Sequence, residues 1–201
     1  MLTNLGFGSI LKIGCSTLQR TTVLWLADRL NYESKEIQVD EGHVLRLSGE
    51  DVASVLGIRS TGVDVPQDLS SEKIDEIWAH YNGLGRDSNQ KLMREIQDQR
   101  TDDDFVRSAV LYLLHNFLCP SLGDGVGVNL IAAVGDVKLI GKLNWAKFVL
   151  DTLVGGIADF KRRKKRKSSG IVGCTHFLVV SNEKFICLMH LTKRSVNNGP
   201  K

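Results

Sequence analysis

Residues 136–167 read DVKLIGKLNWAKFVLDTLVGGIADFKRRKKRK, and this stretch decides the fold. Trp145, Phe148, Val149, Thr152, Leu153, Ile157 and Phe160 recur at spacings of three and four, which places them on one face of a helix. Asn144 is the expected cap, because its side-chain oxygen can accept from an orphan N–H of the first turn. The helix runs into seven consecutive cations, Lys161, Arg162, Arg163, Lys164, Lys165, Arg166 and Lys167. Cations suit the negative end of the helix dipole. The pattern predicts a packed helix with a solvated basic extension.

Working outward, 201 residues suit one domain with tails. Hydrophobic content of 42% and charged content of 24% are those of a soluble globular chain that can bury a core without staples. The basic run holds 7 of the 26 Lys and Arg, which leaves 19 facing 23 acidic residues. Basicity is therefore confined to one segment, whereas a protein that wraps nucleic acid over a broad face spreads its cations. Cys15, Cys119, Cys174 and Cys187 are irregularly spaced, and no secretory leader or apolar run of about 18 residues is read. Free thiols in a reducing compartment and no membrane contact are expected.

On the N-terminal side, Ser16–Leu30 reads as a helix around Trp25. Glu36–Val39 and His43–Leu47 flank Asp40-Glu41-Gly42 as a hairpin. Ser48-Gly49-Glu50-Asp51 is a capping box for a short helix that Gly57 ends, and Thr101-Asp102-Asp103-Asp104 is a second. A helix from Ser71 carries Ile74, Ile77, Trp78 and Tyr81, and residues 88–99 form a polar one. The helix FVRSAVLYLLHNFLC, apolar on nearly every face, is expected at the centre, stopped by Pro120. Trp25, Trp78 and Trp145 each sit in an apolar stripe and are expected as core anchors. The fold class predicted is mainly α: a single multi-helix globular domain over residues 1–180 with a small N-terminal β-hairpin. Residues 181–201 are expected as a divergent, partly disordered tail.

Several pieces together resemble the plant mobile domain family, often filed as aminotransferase-like. They are Gly6-Phe7-Gly8-Ser9-Ile10-Leu11, Trp25-Leu26, Asp51-Val52 with Val55-Leu56-Gly57, Phe117-Leu118-Cys119-Pro120, Asn144 through Asp151, and Gly173-Cys174, in that order across residues 5–179. The resemblance implies a helical domain of plant nuclear, transposable-element-derived proteins linked to transposon silencing, genome maintenance and development. It brings no shared catalytic residue set. The departure after Val180, VSNEKFICLMHLTKRSVNNGPK, implies a truncated or alternatively spliced member.

Functional readings follow from the residues. The Lys161–Lys167 run fits a nuclear localisation signal, since the acidic groove of an import carrier needs adjacent Lys and Arg. The alternative is direct contact with a membrane surface or, sequence-nonspecifically through phosphates, with nucleic acid, and a third reading is solvation alone. Cys174-x-His176 and Cys187-x-x-His190 are poorly spaced for zinc, so no metal is expected. His115 and Cys119, at i and i+4, read as a packed pair rather than a nucleophile and base. Gly123-Asp124-Gly125-Val126-Gly127 follows a helix and Pro120 rather than a strand, and so reads as a connector rather than a phosphate cradle. No Lys has the setting of a pyridoxal Schiff base. The expectation is a non-enzymatic nuclear interaction module without cofactor, delivered by an import carrier to chromatin or protein partners.

Overall fold

The computed structural model describes residues 1–12, 18–98, 101–163 and 170–183. Its axis is the helix opened by Asn144, α7 (Trp145–Arg163). The Asn144 side-chain oxygen accepts from the Lys147 N–H at 3.0 Å, the cap the sequence requires. Trp145 is fully buried, and its indole N–H donates to Ile140 O at 2.8 Å, so the ring enters the core without an orphaned donor. Phe7 packs on the indole at 5.4 Å between centroids, and Phe148 packs on it edge-on at 6.1 Å.

The remaining elements surround this axis. They are α1 (Arg20–Arg29), β1 (Leu30–Asn31), β2 (Glu36–Asp40), β3 (His43–Arg46), α2 (Gly49–Leu56), α3 (Ser71–His80), α4 (Ser88–Asp98), α5 (Asp102–Leu113) and α6 (Val128–Ala133). Residues 175–183 form a closing helical segment. The mainly α, single-domain expectation holds, with the predicted hairpin enlarged to a three-stranded antiparallel sheet in the order β1-β2-β3. Leu30 pairs with Ile37, and Ile37 with Leu45, so buried Leu30 and Ile37 lie side by side on the inner face.

Of the two expected capping boxes, the first forms in full and the second only in part. Ser48 and Asp51 make the reciprocal capping box of α2. At α5 the Thr101 hydroxyl accepts from Asp104 N at 3.1 Å, while the Asp104 carboxylate turns to the same hydroxyl at 2.6 Å rather than to the cap's main chain. Before Pro120 the central helix widens: residues 114–118 form a π turn, closed by Cys119 N–H donating to Leu114 O at 2.7 Å.

Two staples fix α7. At its start, Ala146 N–H donates to Arg59 O at 2.9 Å, and Val63 bridges Leu143 in parallel register. Further along, the chain at 172–173 crosses it at main-chain contact. A Cβ on Gly156 would lie 2.2 Å from Val172 O, and one on Gly173 would lie 2.6 Å from Leu153 Cα at a φ of +99°.

Because the Trp145 cavity is enclosed on all sides, Trp145→Ala is expected to cost about 3–5 kcal/mol. Urea unfolding followed by circular dichroism checks this, and a loss below about 1 kcal/mol would show that α7 does not anchor the core.

Candidate functional site at the root of the cationic run

The last turn of α7 lies against the end of α1. Lys161 Nζ donates to Asp28 O at 2.9 Å and to Leu30 O at 2.6 Å. These carbonyls belong to the last turn of α1 and the strand that follows, where helical C=O groups have no partner of their own and the dipole is negative. The first cation of the run is thus a C-terminal cap in trans, holding α7 to the sheet edge. Arg162 is paired with Asp159 and its side chain is 75% exposed, and Arg163 Nε donates to Asp159 O at 3.2 Å. Lys164, Lys165, Arg166 and Lys167 lie outside the described residues.

Around this root the chain places residues that are distant from it in sequence. Arg29, Asn31, Tyr32, Glu33 and Lys161 line an open groove of about 400 Å³. The Arg29 guanidinium stacks over the Trp25 ring, 4.0 Å from its centroid. Trp25 is 37% exposed and Tyr32 42%. The expectation that all three tryptophans anchor the core is corrected here: Trp145 does, whereas Trp25 and Trp78, the latter 39% exposed, stand outside it. On α1 the inward positions are taken by Val23, Leu26 and Ala27, and Trp25 lies about 100° from Leu26 around the helix. Apolar residues on both sides of Trp25 in the sequence conceal this.

Other candidates are placed as follows. Cys119 is buried against Thr152 and Cys174, and burial pushes its thiol up to about 12, the opposite of an activated nucleophile. Burial holds the His115 imidazole below its ordinary value, and its Nδ1 has no hydrogen-bond partner among the described residues. Cys174 is buried and His176 packs on Phe117 at 5.1 Å, while Cys187 and His190 lie outside the described residues. Among the described residues no group of His, Cys, Asp and Glu is arranged to hold a metal ion. The 123–127 loop is tied down by Val126 N–H donating to Leu84 O at 2.9 Å and by Ser88 Oγ donating to Asp124 O at 3.1 Å. It is a connector held to the segment between α3 and α4.

One charged cluster has no counterpart in the sequence reading. His80 Nε2 lies 3.7 Å from Glu95 and 3.8 Å from Asp104, and Arg107 reaches Asp104 at 3.5 Å. His80, Asp104 and Arg107 line a cleft of about 280 Å³ together with Lys73 and Glu76. Behind it the Tyr81 hydroxyl and Ser108 Oγ are 2.9 Å apart, and burial raises the Tyr81 pKa, so the phenol stays protonated. The helical stripes of α3, α4 and α5 each predict an inward face, but not which polar residues at their edges will meet.

The fold and these sites define a mainly α single domain with an antiparallel sheet at one end and a cationic helix terminus docked onto it. Residues 1–179 match a family described as a domain of unknown function (DUF8566), and the chain belongs to that family. The expected plant mobile domain membership is thereby overturned, including the reading as a truncated or spliced member of it. The pieces that carried it have ordinary physical roles: Phe117 to Pro120 is a helix stop and Asn144-Trp145 a capped start. Such signals recur wherever helices pack and do not define one family. No curated protein matches the chain, and no solved structure does.

If Lys161 pins α7 to α1, Lys161→Gln is expected to cost about 1 kcal/mol, because two carbonyls lose a charged donor. Arg162→Gln, an exposed pair, is expected to cost less than about 0.5 kcal/mol. Denaturant midpoints of the two variants check the order.

Proposed function

We propose that the protein is a non-enzymatic nuclear interaction module, in which the helical body presents Lys161–Lys167 as the signal an import carrier reads. The concentration of charge carries this reading: the run supplies seven adjacent cations, while the rest of the sequence has more acidic than basic residues. A carrier's acidic groove needs such adjacent Lys and Arg side chains. The run begins where α7 reaches the surface, and Arg162 stands well exposed there. With the plant mobile domain resemblance overturned, transposon-related origin and the roles attached to it lose their support and form no part of the proposal.

The state of Cys119 speaks against thiol chemistry in this reading. The Cys119 thiol, the Tyr81 phenol and the His115 imidazole are all pushed by burial toward their uncharged forms. For the thiol this is the opposite of the thiolate that a nucleophile needs. Binding partners in this reading are an import carrier first, and chromatin or protein partners of the helical body afterwards. No described helix is long and apolar enough to cross a membrane.

The test is localisation of a fusion too large for passive diffusion through nuclear pores. Replacing Arg162–Lys167 with Gln and Ser, with Lys161 kept so that α7 stays docked, is expected to abolish nuclear accumulation. A heterologous import signal should then restore it. Accumulation that survives the replacement would contradict the reading.

A further inference from the structure

We propose that the cleft between α3 and α5 binds a small zwitterion, a molecule of amino-acid size that carries one carboxylate and one ammonium group. The site uses no residue of the basic run, and the inference is independent of import.

Helical spacing builds the walls. Lys73, Glu76, Ile77 and His80 stand at i, i+3, i+4 and i+7 on α3, so they share a face, and all four line the cleft. Asp104 and Arg107, at i and i+3 on α5, line it from the other helix. The two helices are tied together by the buried pair of Tyr81 Oη and Ser108 Oγ, 2.9 Å apart.

The polar groups of the cleft leave hydrogen-bonding capacity unused. The Arg107 side chain is 20% exposed, yet it reaches Asp104 only at 3.5 Å, and its Nε is buried with no hydrogen-bond partner among the described residues. A guanidinium taken out of water without acceptors is costly, so the site favours an acceptor brought from outside. His80 Nε2 stands 3.7 Å from Glu95 and 3.8 Å from Asp104, where charges attract but no hydrogen bond closes. Lys73 and Glu76 are exposed, which leaves their charged ends open to a ligand.

Charge sign selects the ligand. Apart from His80, the lining carries two cations, Lys73 and Arg107, and two carboxylates, Glu76 and Asp104. A lone anion is attracted by the first pair and repelled by the second, and a lone cation meets the converse. A molecule with both charges can give its carboxylate to Arg107 and Lys73 and its ammonium to Glu76 and Asp104. Among the described residues the carboxylates and imidazole are not arranged to hold a metal ion. Ile77 is the one large apolar side chain among the described lining residues, which disfavours a lipid or aromatic ligand. The volume of about 280 Å³ lies just below the range that takes drug-sized ligands, about 300–1,000 Å³, and suits a single amino acid.

The experiment is isothermal titration calorimetry of the full chain at neutral pH with glycine, L-leucine, L-glutamate and L-lysine. Acetate and methylamine, each carrying one of the two charges, serve as controls. At least one amino acid is expected to bind saturably, and each control about tenfold or more weakly, because it satisfies one pair of charges only. Arg107→Gln is expected to weaken amino-acid binding by about tenfold or more, since a charged donor is lost. Lys73→Gln and Glu76→Gln change exposed side chains and leave the core intact, and each is expected to weaken binding by about threefold. Glu76→Gln should also narrow the advantage of the amino acid over acetate, a change that a folding defect would not produce. No saturable binding of any of the four amino acids, acetate or methylamine binding as tightly as they do, or unchanged affinity in all three variants would each overturn the proposal.

Discussion

Burial of the Trp145 indole with its N–H satisfied by Ile140 O is the constraint on which the structure depends. A tryptophan taken fully out of water contributes a large hydrophobic gain, but only where its single donor finds an acceptor. The short 3₁₀ turn before α7 provides that acceptor, and Asn144 caps the helix one residue earlier. With ring and cap fixed, the helix has one rotation and one direction. Its apolar face then selects what covers it: α2 on one side, and on another the chain at 172–173, which reaches it through Gly156 and Gly173.

That direction determines where the charge goes. Nineteen residues of helix carry the chain from the loop at Arg59–Asp64 to the edge of the sheet, where Lys161 meets the carbonyls that end α1. The negative C-terminal end of α1 lies there, and Lys161 of α7 serves it. The basic run is therefore rooted in the fold. Its first residue belongs to the packing, its second is exposed and paired with Asp159, and the same docking gathers Arg29 and Tyr32 around the root.

How much of this is legible in the sequence depends on the range of the interaction. The Ser48–Asp51 box, the Asn144 cap and the strand pair around Asp40-Glu41-Gly42 are legible because each is settled within a few residues. The site is legible only in part: the cations of the run are visible as a string of letters, whereas Tyr32, which shares a groove with Lys161, comes from more than a hundred positions away. Strand β1 reads only as the end of a helix, because two residues carry no period and their pairing with β2 is a tertiary fact. Trp25 misleads for a related reason, since flanking leucines make its helix look apolar all round while packing uses one face. His80, Glu95, Asp104 and Arg107 lie on three helices, and nothing in their spacing announces that they meet. The family resemblance fails on the same ground: caps and stops are local physics that unrelated helical chains share.

Native-state hydrogen exchange along α7 tests the central claim most directly, because it asks whether the helix is held by the body through to its first cation. The amides of Asp159, Phe160 and Lys161 are predicted to exchange in the same slow class as those of Leu150 to Ile157, opening only with the whole core. Fast exchange from Ala158 onward, with protection confined to the first turns around Trp145, would show that the cationic end is detached from the fold and would contradict the account.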